Sequence, residues 1–423
     1  MTHPEQHLQN STTRPIKILH VEYGLGFGGS VVSLAELIRG LRTEGGVESR
    51  VIAFQPESVV QGLFRDVTVL RLRPLLSYRL RAALMSRFRP GVPWSMMRWP
   101  VMKLYSAFDF LHDAYIAAVL ARHGRIMDAD IIHLNNGWST SGLWAARLLH
   151  VPCIAHFRGF APTVSNRTGR RGGNWIERTL LGCIGISRAV SDSIVSFGIP
   201  ARKVRTIHNS VSLERYSVKL EARNAVRSRH GFMENHVVVA VFGRIMPWKG
   251  QLEFLRALAP ALEQFPDMRI LLVGDESDTD SPAYGQEVRA LADHPSLARK
   301  VVLAGYQNDV AVYYGASDIV VHCSREPEPF GRVVIEAMAA GKAVVAMAEA
   351  GPLEIISNEI DGLLVPPRDD AAVRTAVTRL CEDSRVREAL GVAARRTVAE
   401  RFSPPVIARE FLLAIRDFRS ETH

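Results

Sequence analysis

The sequence predicts an α/β protein of two domains, each built on an open parallel sheet, and three observations lead there. The chain has 423 residues and is 47% hydrophobic, which is long for one core and natural for two. Short apolar runs such as Ile131-Ile-His-Leu134, His236-Val-Val-Val-Ala-Val-Phe242 and Asp318-Ile-Val-Val-His322 alternate with helical stretches, the pattern of strands buried on both faces. Several of these strands run into a loop carrying glycine or proline and then into a helix. That corner is where open α/β sheets bind ligands and where helix amides attract anions.

Residues 1–15 are polar, contain Pro4 and Pro15 and lack an apolar h-region. They read as a disordered tail rather than a signal peptide. The strand Ile16-Lys-Ile-Leu-His-Val21 is followed by Gly24-Leu-Gly-Phe-Gly-Gly-Ser30 and an amphipathic helix, Val31 to Leu41. Glycine lets backbone amides approach an anion closely, so this loop suits phosphate, although a plain tight turn has the same composition. A dinucleotide fingerprint fails, because after Gly24 and Gly26 the third glycine falls early, at Gly28 or Gly29. Val51–Phe54 and Val67–Leu72 read as further strands.

From Val67 to Phe108 there is no acidic residue, while arginines and Lys103 alternate with Leu, Met and Trp. Such a basic excursion (71–108) suits contact with an anionic membrane surface, each basic residue contributing roughly 1 kcal/mol. A helical excursion with a core-facing apolar side and solvated arginines is the other reading. The interleaved residues are more aliphatic than stacking aromatics, which argues against nucleic acid. Asp128-Ala-Asp130 and Asp278-Thr-Asp280 have a metal-binding spacing, but the first reads as a cap at a strand edge and the second as a polar loop. Val151-Pro-Cys-Ile-Ala-His156-Phe-Arg-Gly159 is a strand and its end, with His156 expected to emerge at the cleft.

In the second half, the strand His236–Phe242 leads into Gly243-Arg244-Ile-Met-Pro-Trp-Lys249-Gly250 and the helix Leu252–Leu262. Arg269–Asp275 and Lys300–Tyr306 are strand-and-turn units, and Ser324-Arg-Glu-Pro-Glu-Pro-Phe-Gly-Arg-Val-Val-Ile-Glu336 follows the next strand. Glu328 and Glu336 have seven residues between them. Pro329 keeps the first in a loop, and Arg332–Ala340 places the second within a helix that stops at Gly341. Glu349-Ala-Gly-Pro-Leu-Glu354 and Asp361-Gly-Leu-Leu-Val-Pro-Pro367 precede two helices, Asp370–Asp383 and Arg385–Phe402, and a last one, Pro405–Phe418.

These motifs resemble the retaining glycosyltransferases of family 4, whose GT-B fold sets two Rossmann-like domains face to face across a cleft. The resemblance implies an N-terminal acceptor-side domain (16–216), a nucleotide-sugar-binding domain (217–402), and a C-terminal helix (403–423) crossing back to the first. It implies that Glu336 binds ribose and Glu328 the donor sugar, while Arg244 and Lys249 clamp the diphosphate, whose growing charge on departure needs fixed cations. Phe330 is expected to bind the donor, and amides at Gly331 and Arg332, and at Gly351 and Leu353, are expected near phosphate. Gly28 and Gly29 would face donor phosphate and acceptor, His156 would position substrate or share a proton, and Tyr306 would lie by the base. Two departures stand out: Ser210 and Ser212 replace a glycine and an aspartate of the segment that closes the first domain, and Ala350 replaces a glycine. The expected reaction is transfer of a sugar from a nucleotide-sugar to a saccharide or lipid-linked hydroxyl, with no metal and no cofactor. A nucleotide-sugar epimerase, a phosphorylase, or a non-catalytic scaffold binding nucleotide-sugars or membranes are the alternatives.

The net charge of +9 favours anionic partners in general. Four scattered cysteines and no apolar run near the roughly 18 residues of a membrane span lead to the expectation of a cytoplasmic protein, peripheral on a membrane if the basic segment binds one.

Overall fold

The computed structural model describes residues 14–24, 28–72, 95–162, 176–275 and 282–421, with the backbone alone for 95–109. The basic residues 73–94 and the Asp278-Thr-Asp280 triplet lie outside these. Two parallel sheets organise the chain. The first comprises β1 (Ile16–Glu22), β2 (Val47–Ala53), β3 (Thr68–Arg71), β4 (Ile131–Asn135), β5 (Cys153–Phe157), β6 (Leu180–Gly185) and β7 (Val204–Thr206) in the order β3-β2-β1-β4-β5-β6-β7. The second comprises β8 (Val237–Phe242), β9 (Met268–Val273), β10 (Val301–Gly305), β11 (Ile319–His322), β12 (Ala343–Met347) and β13 (Leu363–Val365) in the order β10-β9-β8-β11-β12-β13. Each order reverses at its first strand, β1 beside β4 and β8 beside β11. Such switch points open a crevice at the carboxyl ends of the strands.

The unbroken apolar strands are explained by helices covering both faces of each sheet. In the first sheet Leu19, Val21, Ile132, Leu134 and Cys153 belong to one core layer, and Ile18, Ile131, Ile154 and Ile184 to another. Alternation by two along each strand makes that division. The second layer is closed by the C-terminal helix Pro404–Ser420, through Ile407, Phe411, Ala414, Ile415 and Phe418. A side chain at Gly40, on the helix Gly29–Glu44, would meet the Pro404 carbonyl oxygen at 2.1 Å, so a glycine there lets the two helices close. The last helix therefore packs on the N-terminal sheet, and the Val211 amide donates to the Phe402 carbonyl (2.9 Å) where the chain returns. The helix Ser95–Met127 covers the other face, with Ile116 and Leu120 buried.

That second layer is not wholly apolar. His20 and His133 face each other in register, their Nδ1 atoms 2.9 Å apart, and His133 Nε2 lies 3.2 Å from His156 Nδ1. The row ends under Phe411. All three imidazoles are buried, and burial drives their pKa values down: His20 to about 3, His133 and His156 well below the ordinary range. The unfolded chain then binds protons below about pH 6.5 that the folded chain refuses. Stability is fully present above that pH and is lost as pH falls, at about 1.4 kcal/mol per pH unit for each histidine. Melting temperature measured between pH 7.5 and 5 is expected to drop steadily, and less steeply in His156→Phe.

Candidate active site

The two sheets point their carboxyl ends at one cavity of about 590 Å³, lined from both domains. From the C-terminal domain come Arg244, Trp248, Lys249, His322, Glu328, Pro329, Phe330, Gly331 and Arg332, and from the N-terminal domain Gly28, Gly29, Ser30, Ser33, Arg158 and Asn209. The loop after β8 carries the first cations. Gly243 (φ 133°) and Gly250 (φ 74°) bracket Arg244 and Lys249, and a side chain at Gly250 would meet the Cys323 carbonyl at 2.2 Å. This close approach brings Lys249 against the loop after β11. Its Nζ lies 2.6 Å from Glu328 Oε2, and His322 Nε2 lies 3.4 Å from the same oxygen. Burial alone would raise the Glu328 carboxyl. The His322 hydrogen bond and the Lys249 charge outweigh it and hold Glu328 at about 2, ionised at any working pH.

Glu336 stands one turn inside the helix Arg332–Ala339, whose start is the left-handed Gly331 (φ 97°). Arg332 Nη2 donates to Glu336 Oε1 (2.8 Å) and the Tyr314 hydroxyl to Oε2 (3.1 Å). Arg332 also crosses the cleft, its Nη1 donating to Ser33 Oγ (2.9 Å) while its stem lies against Gly29. A second bridge joins the domains lower down. The Glu354 carboxylate accepts from the Arg188 amide at 2.7 Å and from His208 Nε2 at 3.1 Å, capping the N-terminal helix Arg188–Phe197.

Several sequence-predicted residues thus share one wall: Arg244, Lys249, Glu328, Phe330, Gly331 and Arg332, with Gly28 and Gly29 opposite. Others do not. Glu336 is not among the lining residues; it is held by Arg332, which is, and by Tyr314. His156 is 1% exposed and sits in the histidine row beneath Phe411, outside the cavity wall. It is still inside the pleat of β5; two residues on, with the same parity, Arg158 clears the sheet and lines the cleft. The Gly351 and Leu353 amides, expected near phosphate, already donate to the Glu328 carbonyl (3.0 Å) and the Ala350 carbonyl (3.2 Å), so they hold the loop instead. Phe330 is buried against His208 and Phe402 and wedges the loop after β11 in place. Tyr306 is 55% exposed after β10, outside the cavity wall. Asp128 and Asp130 are both bound by Arg14. Sequence reading missed Arg158, Asn209, Trp248 and His322, all within segments whose strands and turns were legible.

Residues 222–397 match the family described as Glycosyl transferases group 1, and residues 27–215 match Glycosyltransferase Family 4. A GDP-mannose-dependent alpha-mannosyltransferase of Mycobacterium tuberculosis is 30% identical over 299 residues, which cover 68% of this chain and 73% of that protein. The chain belongs to the group 1, family 4 glycosyltransferases. An alpha-1,3-galactosyltransferase of Escherichia coli, named for a GlcNAc-diphosphoundecaprenol acceptor, is 26% identical over 60% of this chain and 67% of its own. The GT-B fold is shared with the Anabaena protein HepE, crystallised with UDP (TM-score 0.74, 22% identity, 95% of this chain and 100% of that one). A glycosyltransferase from Rickettsia africae gives 0.78 at 22% identity, over 96% and 99% of the two chains. The protein is a glycosyltransferase.

Two glycines separate packing from binding. A side chain at Gly351 would meet the Phe330 backbone at 2.2 Å, whereas at Gly28 (φ −169°) nothing lies within 4 Å. Urea denaturation is expected to show Gly351→Ala destabilised by about 1–3 kcal/mol and Gly28→Ala unchanged.

Proposed function

We propose that this glycosyltransferase moves a sugar from a nucleotide-sugar to a hydroxyl of a saccharide or lipid-linked acceptor, retaining the anomeric configuration and using no metal. The observation that carries the reading is the convergence of Arg244, Lys249, Arg332 and the helix start at Gly331 on the cavity that also contains Glu328. Fixed cations and a helix N-terminus stabilise a departing diphosphate, the work a divalent ion does in other sites. Relatives named for GDP-mannose and UDP-galactose support a nucleotide-sugar donor.

In this reading Arg244 and Lys249 hold the diphosphate, Arg332 adds charge from the helix start, and Glu336 accepts from the ribose hydroxyls. A carboxylate has about four acceptor sites, so Tyr314 and Arg332 leave room for that. Glu328, kept ionised by Lys249 and His322, accepts from the sugar hydroxyls and orients the anomeric carbon. The incoming hydroxyl attacks on the face the diphosphate leaves, and a leaving phosphate oxygen takes its proton. Domain contacts through Arg332–Ser33 and Glu354–Arg188 exclude water from the step. The membrane role of the basic segment is part of the proposal. Among the described residues no helix is long and apolar enough to cross a membrane.

Glu328→Ala and Lys249→Ala are each expected to lower transfer by about 10²–10³-fold or more without loss of fold. The product anomer, read by proton NMR, should match the donor, and EDTA should leave the rate unchanged. Inversion, or either variant at full rate, would refute the reading. Deleting Arg79 to Lys103 is expected to abolish sedimentation with anionic vesicles; unchanged pelleting would remove the membrane contact.

A further inference from the structure

The N-terminal wall of the cleft carries a cation that the donor chemistry leaves unused. Arg158 follows β5 and lines the cavity opposite Lys249 and Arg332. Its Nε donates to Asn135 Oδ1 at 2.8 Å and its Nη1 to Asn209 Oδ1 at 2.5 Å. Both acceptors are neutral amides, so they fix the plane of the guanidinium without cancelling its charge. The Asn135 amide in turn donates to buried Glu22, which also accepts from the Gly24 amide at 2.8 Å. Among the described residues Arg158 Nη2 has no hydrogen-bond partner, although it is shut off from water.

A buried, unpaired donor on a charged group is costly unless a ligand satisfies it. The electrostatics point the same way. Burial lowers the pKa of Arg158 to about 9, Glu22 opposing that and the charge of Arg332 adding to it, so the guanidinium remains cationic at neutral pH. Two guanidinium groups that repel across a cleft favour an anion between them. Lys249 and Arg332 are each paired with a glutamate at 2.6 and 2.8 Å, whereas among the described residues Arg158 donates to amides alone, with Glu22 acting on it from behind Asn135. The supports of Arg158 all come from the N-terminal domain, the side given to the acceptor.

We propose that Arg158 forms a second anion subsite, which takes a phosphate or carboxylate carried by the acceptor next to its attacking hydroxyl. The subsite rests on the nucleotide-sugar reading above and adds the acceptor class to it. A fork of donors with two edges fixed presents its remaining edge in one orientation, which suits a planar or tetrahedral oxyanion. The anion would bridge Arg158 towards Arg332 and anchor the acceptor as the two domains meet.

The test uses thermal shift on the full chain at constant ionic strength. UDP, GDP and ADP are screened first, and inorganic phosphate is then titrated onto protein saturated with the nucleotide that raises the melting temperature most. The wild type is expected to show a further, saturable rise with phosphate. Arg158→Gln should lose that second rise and keep the nucleotide rise. If Arg158→Gln does not fold, Arg158→Lys carries the test, with the nucleotide rise intact and about tenfold more phosphate needed. No second rise in the wild type, or a second rise that survives in Arg158→Gln, overturns the subsite. Loss of both rises in the variant makes the anion the donor's own phosphate and overturns the acceptor assignment. Absence of any nucleotide rise in the wild type is a different failure, that of the nucleotide-sugar reading itself, and takes the subsite with it.

Discussion

Charge removed from water has to be matched, and the cleft is organised around one such match, the contact between Lys249 and Glu328. Each comes from a loop at the carboxyl end of a different strand, and each is largely buried. Truncating one partner of such a pair leaves an uncompensated charge in low dielectric, which costs far more than the pair contributes. The backbone around them serves that contact. Gly250 lets the two loops close, the Gly351 amide ties the Glu328 carbonyl, and Phe330 packs the next residues against His208 and Phe402. This wall is in that sense preorganised: its ions and dipoles are held in place by the protein itself, the condition under which electrostatic stabilisation needs little reorganisation.

Across the cleft the polar groups are held differently. The N-terminal sheet buries Glu22, Asn135 and three histidines between strands that otherwise read as aliphatic, with Arg158 half-buried just past the end of β5. At the strand ends Arg158 lines the cavity and is held by Asn135, while His20, His133 and His156 stay neutral in the core, the last two beneath Phe411. The division follows the pleat and the point at which each strand ends, so β5 and the residue just past its end supply a core imidazole and a cleft cation two residues apart.

Much of this was legible in the sequence because it is local. Each group on the C-terminal wall sits on a strand, loop and helix contiguous in the chain, and Pro329, Gly331 and Gly250 mark the turns that aim Glu328, Arg332 and Lys249. The unbroken apolar runs gave the parallel sheets for the same reason. What stayed hidden depends on where a strand ends or how two sheets face each other. One pleat decides between His156 and Arg158, and no spacing within a segment shows that Arg332 reaches Ser33 or that Glu354 caps a helix in the other domain. The amides expected free at Gly351 and Leu353 are taken up by carbonyls instead, one in the neighbouring loop at Glu328 and one within the turn at Ala350 (φ 50°).

The seating of the last helix on the first sheet makes the second domain an insert, entered near Ser217 and left near Ser403. The outgoing and returning segments run side by side, joined by the Val211–Phe402 hydrogen bond, and Arg395 ties Ser217 from the far side at 2.7 Å. A body tethered by two adjacent strands of chain cannot swivel freely as one on a single tether can; it swings about the line through both, like a door on paired pins. The wall that carries Lys249 and Glu328 is thereby tied to the wall that carries Arg158 by two chain connections rather than one.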